Sequence, residues 1–295
     1  MASLKEIRTR ITSVKSTRQI TSAMKMVSAA KLRQAQDAII LMRPYASKLQ
    51  EILVNLTASL DEEQDNVYGN VREVNKALLI LISSNKGLCG GFNANVSKKA
   101  IELISTEYKE LYDKDKIDIM AIGKKAADLL IGKGYKPTEN QHDLLDNLAY
   151  NIVKSLAKRI MVSYKTGIYD EVKIIYNQFK NAAVQELVVE QYLPVVSTAV
   201  EDEEQKDSCC NYILEPSKEQ IIKDLIPKSL KIQLYKAFLD SVASEHGARM
   251  TAMHKATDNA TDLIRELQLD YNRERQASIT NEILEIVGGA EALKK

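Results

Sequence analysis

The chain has 295 residues, of which 27% are charged and only 5% aromatic, with no Trp. That length allows one large core or a core with an extension, and the abundance of Ala, Leu, Lys, Arg and Glu favours long helices. The formal net charge is only +1, and three cysteines are too few and too oddly spaced for a disulfide scaffold or a zinc site. A reducing compartment is the expected setting. Cys209 and Cys210 are read as ordinary thiols, a strained vicinal disulfide being the alternative. The longest uninterrupted apolar run, Ala77 to Ile82, is too short to cross a bilayer.

Charge is unevenly spread. Residues 1–36 carry eight Lys or Arg (Lys5, Arg8, Arg10, Lys15, Arg18, Lys25, Lys31, Arg33) against one acid, Glu6. Such an arm calls for an acidic partner. The first twenty residues share the basic, hydroxyl-rich character of a mitochondrial transit peptide. The helical pattern nevertheless runs on to residue 60 without a cleavage-like break, so mature structure is expected. Leu4, Ile7, Ile11 and Val14 space as 3, 4, 3, and after a phase shift Leu32, Ala35, Ile39, Met42, Ala46, Leu49, Leu53, Leu56 and Leu60 do so again. Ser3 with Glu6 forms a capping-box pattern at the start. Pro44 predicts a kink or weakened joint; two helices meeting at Arg43-Pro44 is the alternative.

Residues 61–75 read as an acidic linker, and then the pattern changes. Strands are expected at Ala77–Ser83, Ile117–Ile122, Val172–Phe179 and Glu186–Tyr192, and helices at Val96–Tyr112, Lys124–Ile131 and Leu148–Tyr164. Strands alternating with helices predict a mostly parallel sheet covered on both faces. A second acidic linker at residues 200–208 ends the domain.

From Ser217 the chain is helical again to Gly288, with Pro227 as a candidate interruption. Met253, Ala256, Ala260, Leu263 and Leu267 mark one coiled-coil seam, and Ile279, Ile283, Ile286, Ala290 and Leu293 a second, shifted one. Asn272 to Gln276 makes a polar window between them. The layout predicted is an α/β domain inserted between two long terminal helices that pair as an antiparallel coiled coil. Its segments are 1–60, 61–208 and 209–295.

For chemistry, the strongest stretch is Ser83 to Asn93, SSNKGLCGGFN, a Gly-rich loop between a strand and a helix. Phosphate sites form in that position, yet the loop lacks the spacing of a dinucleotide fingerprint and the GK[ST] of a Walker loop. Its glycines also suit a plain tight turn. Cys89 has no His near it in sequence, and His142, His246 and His254 lack metal-ligand spacing. No acid, base and nucleophile assemble. The basic arm could serve DNA or an anionic membrane, but its many Ser and Thr and lack of a bulky apolar face suit a carboxylate-lined sleeve better.

Three stretches resemble the gamma-subunit family of F-type ATP synthases: Lys5–Gln36, Ser83–Asn93 and Ala256–Ala290, the last among the family's most specific strings. The resemblance covers essentially the whole chain, with Asn85 standing where the family's loop usually has Asp and Asp270 where an apolar residue is usual. The short Val195–Tyr212 segment resembles forms without the chloroplast redox insertion. The resemblance implies a bacterial rotor subunit that does no chemistry itself, takes no cofactor or metal, and turns inside a ring of alpha and beta subunits. It implies further partners in the epsilon subunit and the c-ring, no nucleic acid, and no direct membrane insertion. The expected location is peripheral, on the cytoplasmic face of the bacterial inner membrane. By position in the motifs, Met24, Lys25, Arg275, Gln276 and Thr280 resemble beta-subunit contacts. Tyr212 and Glu215 resemble c-ring contacts, and Ile286, Val287 and Ala290 an apolar apical bearing. A static coiled-coil adaptor or a basic-helix nucleic-acid binder is the alternative.

Overall fold

A computed structural model describes residues 4–57, 68–69, 72–145, 148–195 and 218–292. Two helices bracket the rest in sequence: α1, Leu4–Thr57, and α6, Lys218–Ala292. Between them run β1 Ala77–Ile82, α2 Phe92–Thr106, α3 Lys109–Asp113, β2 Ile117–Ile122, α4 Lys124–Ile131, β3 Glu139–Gln141, α5 Tyr150–Lys165, β4 Glu171–Phe179 and β5 Gln185–Leu193. The chain separates into two compact units, one of residues 1–29 with 249–295 and one of residues 30–248.

The larger unit is built on a five-stranded sheet in the order β3-β2-β1-β4-β5. β1 lies between β2 and β4, parallel to both, and β3 is parallel to β2. β5 returns antiparallel beside β4, through a turn in which Asn181 Oδ1 accepts from the Ala183 and Val184 amides. All six residues of β1 are buried, as its uninterrupted apolar run requires of a strand covered on both faces. Leu78, Ile80 and Ile82 face a cluster that includes Val153, Leu156, Ala157 and Ile160 of α5 and Ile226, Leu230 and Phe238 of α6. Ala77, Leu79 and Leu81 face Val96, Ala100, Leu103 and Ile104 of α2 and Leu130 of α4. The alternation follows from the two-residue side-chain period of a strand.

Several expectations need correction. Periodicity predicts one helix over Val96–Tyr112, but α2 starts at Phe92 and stops at Thr106, with the short α3 following. β3 has no apolar pattern because it is a three-residue edge strand of polar residues, Glu139, Asn140 and Gln141. α1 runs as one helix through Pro44. Pro44 sits on an exposed face, so the Ile40 carbonyl it leaves without an amide donor lies at the solvent side, where water serves it. Pro227 likewise lies inside α6 without ending it.

Candidate functional site

The smaller unit is two helices. Thr257 Oγ1 donates to Thr21 Oγ1 at 2.9 Å, which fixes a register: with the helices antiparallel, residues summing to about 278 lie opposite each other. Burial agrees with that register on both helices. In α1, Ile7, Thr21 and Ser28 are buried, and Leu4, Ile11, Val14, Arg18 and Lys25 are half-buried. In α6, Met253, Ala260, Ile264 and Leu267 are buried, and Thr257, Tyr271, Glu274 and Ser278 are half-buried. Each set steps by alternating threes and fours, the seam period of a coiled coil.

This seam differs from the one expected. No phase shift follows Val14; the stripe continues through Arg18, Thr21, Lys25 and Ser28 to Leu32, polar but in register. An apolar template cannot follow a seam whose members there are hydroxyls and cations. In α6, Ile264 is buried at 6% exposure whereas Leu263 is 43% exposed, so Leu263 belongs outside the stripe. The polar window also carries the first seam onward, through Tyr271, Glu274 and Ser278. Among the described residues the second apolar set does not pair: Ile279, Ile283 and Ile286 are exposed, because the register exhausts the described part of α1 near residue 274. Leu293 lies outside the described residues.

Around the seam the two helices carry different charge. Residues 4–29 present six basic residues and the single acid Glu6. Their hydroxyls are turned inward on the helix itself: Thr9, Thr12, Ser16 and Thr17 donate to the carbonyls of Lys5, Arg8, Thr12 and Ser13, so the outer surface is left to the cations. On α6, Asp258, Asp262, Glu266, Asp270 and Glu274 recur every fourth residue, an acidic ridge that drifts about 40° per step around a helix of 3.6 residues per turn. The α1 side of the two-helix unit is therefore basic, with Arg18 and Lys25 in the seam itself, and the acidic ridge of α6 winds into the seam at Glu274, with Arg265 paired to Asp262 beside it. That ridge was legible as an i, i+4 pattern, although a search for an apolar seam passes over it.

The candidate contact residues fall into separate places. Met24 is half-buried beside the seam and Lys25 half-buried within it, and the Met24 carbonyl accepts from Ser28 Oγ at 2.8 Å. Arg275, Gln276 and Thr280 are exposed on α6, with Thr280 Oγ1 donating to the Gln276 carbonyl at 2.9 Å. Met24 lies level with residue 254, which puts Arg275 about 32 Å away along the axis at ~1.5 Å per residue. The structure thus brings Arg275, Gln276 and Thr280 together within two turns and leaves Met24 and Lys25 as a second station. Ile286 and Val287 are 72% and 55% exposed and Ala290 is exposed. Tyr212 and Glu215 lie outside the described residues, as do Cys209 and Cys210.

The Gly-rich loop of the larger unit has a local role. Ser83 Oγ accepts from the Ala126 amide, the Ser84 carbonyl from the Lys125 amide, and Asn85 Oδ1 from the Lys124 amide. Three donors at the start of α4 are thereby capped from the end of β1. Asn93 Oδ1 accepts from the Ser84 amide and hydroxyl, and Asn93 Nδ2 donates to Cys89 Sγ at 3.2 Å. Cys89 is 2% exposed. Gly123 has φ +99°, and a Cβ there would lie 2.7 Å from Ser83 Oγ and 2.8 Å from the Ser83 carbonyl oxygen, which excludes a side chain where β1 and α4 meet. The amides of Ser84, Lys124, Lys125 and Ala126, donors of the kind a phosphate would use, are engaged in holding β1, α2 and α4 together.

A doubly wound sheet joined in one chain to a polar-seamed, antiparallel helix pair defines the class by architecture. The family model described as ATP synthase matches residues 3–293. The ATP synthase gamma chain of Flavobacterium johnsoniae is 56% identical over 293 residues, covering 99% of both chains. A chain of the Tetrahymena thermophila mitochondrial ATP synthase central stalk and c-ring structure shares 25% identity at a TM-score of 0.57, over 80% of this chain and 99% of that one. A chain of the Euglena gracilis mitochondrial ATP synthase, in an OSCP/F1/c-ring assembly, shares the fold at a TM-score of 0.70 and 24% identity, over 98% of this chain and 94% of that one. The chain belongs to the ATP synthase gamma-chain family.

Proposed function

We infer that this chain is the central-stalk rotor of an F-type ATP synthase and couples c-ring rotation to ATP synthesis or hydrolysis without catalysing either step itself. The observation that carries the mechanism is the helix pair fixed by Thr21 and Thr257, with its basic side and acidic ridge. A shaft with unlike sides touches chemically identical neighbours differently and biases each toward a different conformation. Linkage makes the effect reciprocal, so nucleotide state biases shaft angle as strongly as shaft angle biases nucleotide affinity. A reversible motor follows.

The neighbours in this reading are alternating alpha and beta subunits, with the epsilon subunit and c-ring elsewhere on the chain. Arg275, Gln276 and Thr280 grip a beta-subunit loop, and Met24 with Lys25 faces an acidic beta-subunit lever. Tyr212 and Glu215 meet the c-ring. Ile286, Val287 and Ala290, apolar or small and uncovered at the end of α6, turn in an apolar bearing. Among the described residues no helix is long and apolar enough to cross a membrane; in this reading the chain sits peripherally at the cytoplasmic face of the bacterial inner membrane. Switching a two-state neighbour from mostly open to mostly closed needs ~5.5 kcal/mol of differential contact, whereas one exposed ion pair supplies about 0–1 kcal/mol. Coupling is therefore shared among the two stations and the bearing.

The test is co-purification. A tagged chain expressed in its source should bring down alpha, beta and epsilon subunits and the c-ring. Recovery of the chain with nucleic acid alone, or as a self-associated coiled coil, would contradict this reading.

A further inference from the structure

The larger unit holds a cavity of about 360 Å³ between α1, β4, β5 and α6, walled by Arg43, Gln178, Glu190, Gln233, Lys236 and Asp240 among others. Asp240, on α6, is only 1% exposed, and its Oδ1 accepts no hydrogen bond. Its neighbour Glu190 is fully engaged, with one oxygen accepting from Tyr176 Oη at 2.8 Å and the other from Gln233 Nε2 at 2.7 Å. Two cations share the cavity with Asp240, Arg43 from α1 and Lys236 one turn earlier on α6, yet neither lies within ion-pair distance of it among the described residues. Arg43 instead donates through Nη2 to the Phe179 carbonyl at the end of β4, at 3.3 Å.

A buried carboxylate without a partner costs far more than a neutral carboxyl. Burial accordingly pushes the Asp240 carboxyl up to about 6, against the pull of Lys236 and Arg43 and with a push from Glu190. The arrangement shown, with the guanidinium on a backbone carbonyl, suits the neutral acid. Once the proton leaves, the strongest available compensation is a charge-assisted bond to a guanidinium. Lys236 offers a weaker answer: it belongs to the same helix, and its ammonium is held more tightly by water.

We propose that Asp240 is a proton-operated selector for Arg43. Neutral, it leaves the guanidinium on the Phe179 carbonyl, tying α1 to β4. When it releases its proton to solvent, it draws the guanidinium across into an ion pair and ties α1 to α6. The step moves one proton and one side chain and breaks no covalent bond. It concerns residues 30–248 alone and stands whether or not the rotor reading does.

The experiment is a double-mutant cycle on the intact chain, Arg43→Gln with Asp240→Asn, read by unfolding at about pH 5 and about pH 8. The expected result is no coupling at the lower pH and, at the higher, a coupling of about fivefold or more in the unfolding equilibrium constant. Equal coupling at both values, or none at either, overturns the proposal. So does a larger coupling for Lys236→Gln than for Arg43→Gln at the higher pH. If a variant fails to fold, the carboxyl ¹³C titration of Asp240 in the unaltered chain decides. A midpoint above about 5 supports the selector, and one in the ordinary range near 4 rules it out.

Discussion

β1 and the seam of the two-helix unit bury side chains in opposite ways. Every residue from Ala77 to Ile82 is enclosed on both faces of a sheet, and each is held by neighbours from several elements. The seam from Leu4 to Ser28 is one residue wide, has a single facing helix, and contains Arg18, Thr21, Lys25 and Ser28 where β1 has only aliphatic groups. A layered core gains stability from area removed from water. A thin, hydroxyl-lined seam gains little from area but fixes register through bonds such as Thr257 to Thr21, and it leaves most of each helix surface free for other chains. Area burial and register are thus assigned to different stretches of one sequence.

The sharpest way to break that comparison is to make equivalent cavities on the two sides. Leu79→Ala, at a position with 0% exposure, should cost about 2–5 kcal/mol by denaturant unfolding. Ile264→Ala in the seam should cost about 1–2 kcal/mol, because a single-layer site collapses more easily. Equal losses would mean that the seam is a core in its own right.

Asp240→Asn comes next. Burial pushes the Asp240 carboxyl up to about 6 in the folded chain, above its unfolded value near 3.9. A raised acid binds its proton more tightly when folded, so the native state loses stability as pH rises from about 4 to 6 and stays penalised above. Asn should therefore stabilise by up to about 3 kcal/mol at pH 7 and by little at pH 4. A gain that is the same at both pH values would exclude ionisation as its cause. Thr21→Val should be the mildest change, within about 1 kcal/mol, since Thr257 keeps its bond to the Met253 carbonyl and the Thr21 hydroxyl, which also donates to the Arg18 carbonyl, is exchanged for a methyl of the same shape. Its larger signature should be loosened register, seen as weaker selectivity of a disulfide engineered across the helix pair.

Much of this was legible from the chain. β2 and α4 fall where their apolar patterns put them, because each is dominated by one clear period. β3 was not, since a polar three-residue edge strand takes its conformation from the β2 backbone and carries no pattern of its own. In the seam, Leu263 and Ile264 are adjacent apolar residues, and only the facing helix decides which is covered. The capping of α4 by Ser83, Ser84 and Asn85 is invisible in sequence because the bonds cross 39 to 43 positions. The stations at Met24 and Arg275 were named from resemblance, and their spacing along the shaft needed the register.

The most direct test of shared coupling is ATP-driven proton pumping by the assembled complex carrying Arg275→Ala. Arg275 is exposed, so the substitution should change the chain's own stability by no more than about 0.5 kcal/mol and leave assembly intact. Pumping should fall but persist, because on the proposed reading the contact is shared between other residues of α6 and the Met24–Lys25 station. Complete loss of pumping in a normally assembled complex would place the coupling in one side chain and contradict the account.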